Sequence, residues 1–553
     1  MLVPLLAMLL FAWTFVYRFN TLGGSFGGFE NDHFVSFAYA KQVQAGVQPL
    51  RDFAGLGLQG AGPSLTYEAS ALAQRWMGNN LRSEALLTVT AMAVAAVLTF
   101  LAASALSSVG WAAVASLISV FIAPTLYNYT KVLSLAGAAL VIVFHARRPR
   151  LGTVAAGAVV TAVAFLFRHD LAAYVGVGIF VVCLLVGPWR VRWRHAAAYV
   201  LIALLLLAPS LIYVQHYEGL VSYFRDGLVL SQREAERTEL REWPPFTWPA
   251  APEAPLSVES FFDRESNGMA WLFYVTWLLP VLAVLLTWRN DQDARERTPW
   301  PAVIAISAMT VFAARFLIRS NVAARLGDVG PLFAVLLAVV CHVATRPWRA
   351  DTVWRRTART LPVLLLLAGT VLSARSVGSI ASQLRTAKLT GSWAGVVQHM
   401  RDVSRELRSQ PEEAVRQAAA DDPLALAQYL ARCTAATDRV VLMAYRPEVL
   451  PFAGRLFGAG RLSILPGYVL DERHQRASIA WWGHESVPVA LVEFEAFYDP
   501  ANIVAPVMRD YLLQHYTPAG VVGEGSGHAL HVFLRRDLTP QSSFGPARLP
   551  CLR

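Results

Sequence analysis

Eleven runs of apolar residues, near 2–19, 84–107, 110–126, 132–145, 151–167, 171–187, 196–214, 270–288, 301–318, 331–345 and 360–375, dominate this chain of 553 residues. A bilayer core about 30 Å thick takes ~20 apolar residues per helix, within a range of about 17–25. Inside lipid every backbone N–H and C=O has to be satisfied within the segment, so serial runs of this length predict a bundle of spanning helices. The third, fourth and fifth runs are short for the task. Composition agrees: 55% of residues are hydrophobic and 16% charged, against about 25% charged in soluble domains. A soluble globular protein, a disordered chain and a fibre are excluded. After about residue 375 the sequence reads as water-soluble. The fold class expected is therefore a polytopic α-helical membrane protein of about eleven transmembrane helices, residues 1–375, followed by a C-terminal extracytoplasmic α/β domain, residues 376–553.

The chain carries 48 basic and 38 acidic residues, a formal charge of +10. In a soluble protein that excess would suggest nucleic acid; here its distribution points to orientation, and no nucleic-acid partner is expected. Arg147, Arg148 and Arg150; Arg190, Arg192 and Arg194; Arg289, Arg295 and Arg297; and Arg346, Arg349, Arg355, Arg356 and Arg359 fall in four loops that an eleven-span count puts on one side. Short cytoplasmic loops concentrate Arg and Lys. The N-terminus is then cytoplasmic and the tail outside, the location of a multi-pass protein of a bacterial inner membrane. The apolar N-terminus lacks a basic region and a small-residue cleavage site before Gly23, so it reads as a retained first span. Cys183 and Cys341 sit in apolar runs, whereas Cys433 and Cys551 lie in the tail and can pair only if their Cα atoms come within ~7 Å. No CxxC or zinc spacing occurs.

The outer side receives the chemically interesting segments: the loop 20–83, the Arg168-His169-Asp170 turn, the loop 215–269, the loop 319–330 and the tail. In the first loop, Asn31 or Asp32 can cap a helix from His33 to about Ala45, closed by Gly46. Phe34, Phe37 and Ala38 recur along it at helical spacing, which predicts a helix lying on the membrane surface. A second helix is expected from about Ser64 to Met77. Glu30, Asp32, Asp52 and Glu68 thus gather near the bilayer.

One apolar span, an acidic group opening a helix, Gly46, then Pro49, Arg51-Asp52-Phe53, Gly62-Pro63 and Tyr67 resemble, in that order, the first outer loop of GT-C glycosyltransferases. The pattern is most similar to the branch related to protein O-mannosyltransferases and lipid A aminoarabinose transferases. The resemblance covers roughly residues 1–375. It implies that Asp32 is the catalytic acid of the motif, with His33 standing where many members have Glu and Glu30 able to substitute for that second carboxylate. It also implies a polyprenyl-phosphate sugar as donor, a glycan, lipid or protein as acceptor, and membrane lipids as surroundings. No cofactor is firmly implied; a divalent ion between Glu30, Asp32 and the phosphate is compatible with the loop.

Such chemistry sets its own requirements. Phosphate is a good leaving group, so no paired general acid is needed and a single carboxylate suffices as base for the acceptor hydroxyl, with inversion at the anomeric carbon. Negative charge grows on the departing phosphate, and guanidinium groups stabilise it there. The outer face offers Arg51, Lys131, Arg168, Arg319 and Arg325, with His169, Asp170 and Asp52 beside them. Competing roles are a local Arg168–Asp170 pair that fixes a turn, and Arg at helix ends reaching for the interface. The loop 215–269 begins with a charged helical stretch, Arg225–Glu242, then turns stiff and aromatic over Trp243–Pro249, either a lid or a solvated helix face with interfacial Trp anchors. In the tail, β-prone runs at Arg439–Ala444, Val487–Phe494 and Ala529–Leu534 alternate with helical pieces such as Ile503–Gln514. The segment from Phe452 through Pro466-Gly467-Tyr468, rich in Gly and aromatics, is placed to meet a sugar. A flippase for a lipid-linked saccharide would predict broken helices, repeats and midplane charges, and a non-enzymatic assembly subunit would leave Asp32 as a cap only.

Overall fold

The computed structural model describes residues 2–24, 26–53, 64–122, 125–238, 242–247, 261–262, 264–288, 299–318, 322–346, 353–418, 424–464, 471–493, 505–522, 529–545 and 548–553. Its helices are α1 Leu2–Asn20, α2 Asn31–Gln44, α3 Leu65–Met77, α4 Leu81–Leu106, α5 Val109–Phe121, α6 Tyr129–Arg147, α7 Leu151–Phe167, α8 His169–Leu185, α9 Trp189–Tyr217, α10 Leu220–Thr238, α11 Glu265–Trp288, α12 Trp300–Ala313, α13 Val322–Leu326, α14 Gly330–Thr345, α15 Val353–Val377, α16 Ile380–Thr386, α17 Trp393–Ser409, α18 Glu412–Gln417, α19 Ala425–Cys433, α20 Val449–Ala453, α21 Glu472–His484 and α22 Pro506–His515. Each of the eleven apolar runs contains a helix among its described residues. Eight of the described helical segments are long and apolar enough to cross a membrane, and Val109–Phe121, Leu151–Phe167 and His169–Leu185 are apolar but shorter. The fourth run is longer than expected, because a 3₁₀ turn at Leu126–Asn128 extends it to Leu126–Arg147. The shortfall falls instead on the third, fifth and sixth.

Two compact units result, and they do not follow chain order. One comprises Met1–Thr21, Thr88–Pro209 and Thr238–Arg401; the other comprises Leu22–Leu87, Ser210–Arg237 and Asp402–Arg553. In the first, α14 is the central helix: 94% of the Val322–Thr345 window is buried, against 17% for α9. Its sequence GPLFAVLLAVVCHVAT is apolar on every face, as a helix enclosed by others requires. By contrast Leu201, Leu204 and Leu205 of α9 are exposed.

The second unit is built on a five-stranded sheet in the order β2-β1-β3-β5-β4, with β1 Arg439–Met443, β2 Leu456–Phe457, β3 Val489–Val492, β4 Tyr516–Val522 and β5 Leu530–Arg535. β2, β1 and β3 run parallel, whereas β5 is antiparallel to β3 and β4. VVLM of β1 and VALV of β3 are wholly buried, the continuous apolar pattern of parallel strands covered on both faces. Trp482 and Tyr516 anchor the core: the indole Nε1 donates to the Tyr516 hydroxyl at 2.6 Å, which donates onward to the Val487 carbonyl at 2.7 Å. A small hairpin of β6 Ser542–Phe544 and β7 Leu549–Cys551 closes the chain. Cys433 and Cys551 form a disulfide with Cα atoms 4.4 Å apart, which joins β7 to the end of α19.

The first-loop helix differs from the surface helix expected. Residues His33 to Ala40 of α2 are buried, on all faces and not only at Phe34, Phe37 and Ala38. The reason is tertiary: α2 packs on α3, α20 and β2. Gln42, fully buried, donates to the Phe457 carbonyl at 3.2 Å and accepts from Arg439 Nη1 at 3.1 Å, so its amide finishes the edge of the sheet. The helix ends in a Schellman arrangement, with Gly46 at φ +79° and Val47 N–H donating to the Gln42 carbonyl, a conformation that favours glycine.

Candidate functional site

The acid and the helix that carries it come first. Neither Asn31 nor Asp32 is the N-cap of α2; that position is Glu30, which makes no side-chain capping bond while its carbonyl accepts from His33 N–H at 2.9 Å. Glu30 is exposed. Asp32 therefore lies in the first turn, and its carboxylate Oδ1 accepts a hydrogen bond from the Tyr445 hydroxyl, just beyond β1. A residue 413 positions away in sequence is thus brought onto the predicted acid. Asp32 is half-buried, in contrast to the residues that follow it in α2.

His33 is turned to a different use. Its Nε2 lies 3.2 Å from Glu84 Oε2, both side chains are buried, and the ring stacks on Phe29 with centroids 4.1 Å apart. Glu84 also accepts from the Ser70 hydroxyl and from Gln74 Nε2 at 2.6 Å. This network ties α2 and α3 to the start of α4, so the residue at the motif's second acidic position holds the loop in place. Nearby, burial pushes the Lys41 ammonium down to about 8, with the Glu84 charge acting in the opposite direction. Burial likewise lifts the Tyr39 phenol to about 12, opposed by Arg461.

Arg51 and Asp52 pair with each other, at 2.6 Å, and Arg51 Nη2 also donates to the Gly46 carbonyl at 2.9 Å. Asp52 accepts from Gln48 N–H at 2.8 Å, and the Arg51 hydrogen bond holds its carboxyl below the usual range. This arrangement is a turn-forming unit: both charges are spent on the loop itself.

Lys131, Arg168 and Arg325 lie in the other unit, the first two against Phe316. Lys131 Nζ makes a 2.6 Å ion pair with Asp328 Oδ2, the two side chains 1% and 0% exposed, and sits 4.7 Å from the Phe316 ring centroid. Arg168 lies against the same ring at 5.9 Å and forms a two-point pair with Asp170, Nε to Oδ1 at 3.1 Å and Nη2 to Oδ2 at 2.7 Å. Charges on Arg168 and Arg325 bear on Lys131, and that on Asp328 bears on Arg168. Lys131, Arg168 and Arg325 thus form one cationic group, partly balanced by Asp170 and Asp328. His169 packs on Phe165, with ring centroids 4.3 Å apart. Arg319, with Ser320 and Asn321, lies outside the described residues, as do Gly62-Pro63, Trp248-Pro249, Pro466-Gly467-Tyr468 and the basic residues Arg289, Arg295, Arg297 and Arg349.

Three participants were not predicted from the sequence. Glu84 carried a signal, an acidic residue at the mouth of an apolar run. Asp328 carried a weaker one, and Tyr445 none. Among the described residues no group of three or more His, Cys, Asp or Glu side chains is arranged to hold a metal ion.

No protein-family model matches the sequence, and no curated protein matches it. Among solved structures the chain is similar to the oligosaccharyltransferase of Archaeoglobus fulgidus tethered to an acceptor peptide containing the NVT sequon, at 11% identity over 98% of this chain and 76% of that one, with a TM-score of 0.42. It is also similar to the archaeal oligosaccharyltransferase AglB in complex with an inhibitory peptide and a dolichol-phosphate, at 11% identity, the same coverage and a TM-score of 0.40. The apo form gives 10% identity over 94% and 73% of the two chains, with a TM-score of 0.40.

Proposed function

We propose that the chain is an inverting membrane glycosyltransferase that moves a sugar from a polyprenyl-phosphate donor to an acceptor on the extracytoplasmic side. The observation that carries this reading is the state of Asp32. It is a carboxylate that the fold leaves half-buried at the N-terminal turn of a buried helix, with the Tyr445 hydroxyl donating to it. Its neighbours His33, Arg51 and Asp52 are engaged in building the loop.

In this reading the Asp32 carboxylate accepts the proton of the acceptor hydroxyl as that oxygen attacks the anomeric carbon, and the bond to the phosphate oxygen breaks on the opposite face. Tyr445 donates to Oδ1 of that carboxylate and orients it. Arg168 and Arg325, and Arg319 by its place in the sequence, are assigned to phosphate recognition, with Asp170 orienting Arg168; Lys131, 1% exposed, is committed to Asp328. Glu30, exposed at the N-cap, is assigned to the acceptor side of the loop. The Cys433–Cys551 disulfide supports an extracytoplasmic tail, since such bonds persist in oxidising compartments, and the cytoplasmic arginine loops support the same orientation in a bacterial inner membrane.

The test is purified full-length chain in nanodiscs, given radiolabelled polyprenyl-phosphate hexoses and pentoses with membranes as the acceptor source, and assayed for release of polyprenyl phosphate. Asp32→Asn is expected to lower turnover by about 10²- to 10⁴-fold while donor binding is retained. Full turnover in that variant removes Asp32 as the base. Donor binding with no turnover in the wild type, across the panel, removes the transferase reading.

A further inference from the structure

Two arginine triplets, Arg147, Arg148 and Arg150 and Arg190, Arg192 and Arg194, form a single patch at one end of the first unit. The contact that joins them is between His145, two residues before Arg147, and His195, one residue after Arg194: their rings pack edge to face with centroids 5.2 Å apart, and both are buried. The turn between α6 and α7 is fixed in the same place. Thr153 Oγ1 donates to the Arg150 carbonyl at 2.8 Å, so its one proton is used, and His145 Nδ1, 2.8 Å away, has to be the donor to that oxygen. Arg147 reaches back to the Ala105 carbonyl at the end of α4, and Arg192 Nε donates to the Gly187 carbonyl at 2.5 Å. The ends of α4, α6 and α8 and the starts of α7 and α9 are thereby held together.

The segments that build the patch carry charges of one sign. Arg148, Arg150, Arg190 and Arg194 are exposed there, and no Asp or Glu occurs anywhere in residues 85–169 or 171–217, the segments that build it. A cluster of like charges is costly unless an anion neutralises it. Its apolar border shows where that anion comes from. Trp189 is 69% and Trp193 47% exposed, their rings 5.2 Å apart, and Phe144 and Leu151 are exposed beside the triplets. Guanidinium groups at the ends of spanning helices, edged by paired indoles and bare aliphatic surface, match a lipid: phosphate on the arginines, glycerol and ester region at the indoles, and acyl chains along the helices.

We propose that this end of the bundle is a binding site for an anionic phospholipid, with the headgroup phosphate held by Arg148, Arg150, Arg190 and Arg194. The site is independent of the transferase reading, because none of its residues is assigned to the donor or the acceptor.

The experiment measures lipid selectivity by electron spin resonance of full-length chain in phosphatidylcholine bilayers containing trace spin-labelled phosphatidylglycerol or spin-labelled phosphatidylcholine. Wild type is expected to hold the anionic label at least about fivefold more strongly than the zwitterionic one, with the preference collapsing in 1 M salt. In the variant Arg148→Gln/Arg150→Gln/Arg190→Gln/Arg194→Gln the two labels become equal. The control Arg405→Gln/Arg408→Gln/Arg416→Gln/Arg476→Gln removes the same charge from exposed positions elsewhere and keeps the preference. Should the quadruple variant fail to fold, the pairs Arg148→Gln/Arg150→Gln and Arg190→Gln/Arg194→Gln are each expected to lose part of it. Equal retention of both labels by wild type overturns the proposal. So does an unchanged preference in the patch variants, or an equal loss in the control, which would mean that net charge alone is responsible.

Discussion

Tyr445 donates its hydroxyl proton to Asp32, and a hydrogen bond to a charged group contributes about 1.5–3 kcal/mol. If that bond fixes the base for proton transfer, Tyr445→Phe lowers kcat by about 10- to 100-fold and leaves the donor KM unchanged, which steady-state kinetics on the nanodisc-bound chain will show; a change confined to KM would assign Tyr445 to donor binding. Lys41 offers a second residue-scale outcome. Its folded value of about 8 lies below the ~10.4 of an unfolded lysine, so the unfolded chain binds more protons between those values and stability rises with pH across that window. Below about pH 8 the lysine is charged in both states and the burial cost is felt in full. Lys41→Met should therefore be more stable than wild type by about 1–3 kcal/mol at pH 7, with the difference gone by about pH 10.5. Thermal unfolding of the two proteins at pH 7 and pH 10.5 measures it. How the groups of the first loop are partnered was only partly legible beforehand: that His33 is spent on Glu84, and that Tyr445 reaches Asp32, depends on contacts 51 and 413 residues apart in the chain.

Among the elements, the buried Lys131–Asp328 pair fastens the segment before α14 to the first turns of α6. Breaking a buried pair by removing one partner strands a charge and costs about 3–5 kcal/mol, whereas replacing both partners by apolar groups is often neutral. Asp328→Asn is expected to destabilise the chain by that amount, and Lys131→Met/Asp328→Leu to recover most of it, as read from unfolding midpoints in detergent. A double variant no more stable than the single one would mean that the pair's charge, and not its burial, holds the segment. Helix boundaries at this scale were largely legible, because apolar runs and closing Gly residues are local signals: Ser64, where the second helix was expected to begin, caps α3 through Thr66 N–H, and Gly46 follows α2 as expected. The surface placement of α2 was not. Its apolar spacing predicts one buried face, but Gln42 and the small residues on the opposite side are covered by β2 and α20, which no local pattern announces.

For the molecule as a whole, the Cys433–Cys551 bond closes a loop spanning 118 positions that contains the entire five-stranded sheet. Loops of about that length are stabilised by roughly 4–5 kcal/mol in the chain-entropy account, and removing native bonds costs about 2–5 kcal/mol. Cys433→Ser/Cys551→Ser should lower the sheet unit's stability within that range and leave Cys183 and Cys341, both buried in the other unit, unreactive to polar thiol reagents. Limited proteolysis checks the first expectation and mass-tagging the second. The sequence alone determined the spanning helices and the all-apolar strands, since bilayer thickness and burial act on stretches a few turns long and leave their mark residue by residue. Only the tertiary structure decided that residues 22–87 and 210–237 fold with the tail into one unit, and which charged side chains are consumed by partners. Those outcomes depend on contacts between segments hundreds of positions apart, whose free energy belongs to the pair and is written in neither segment.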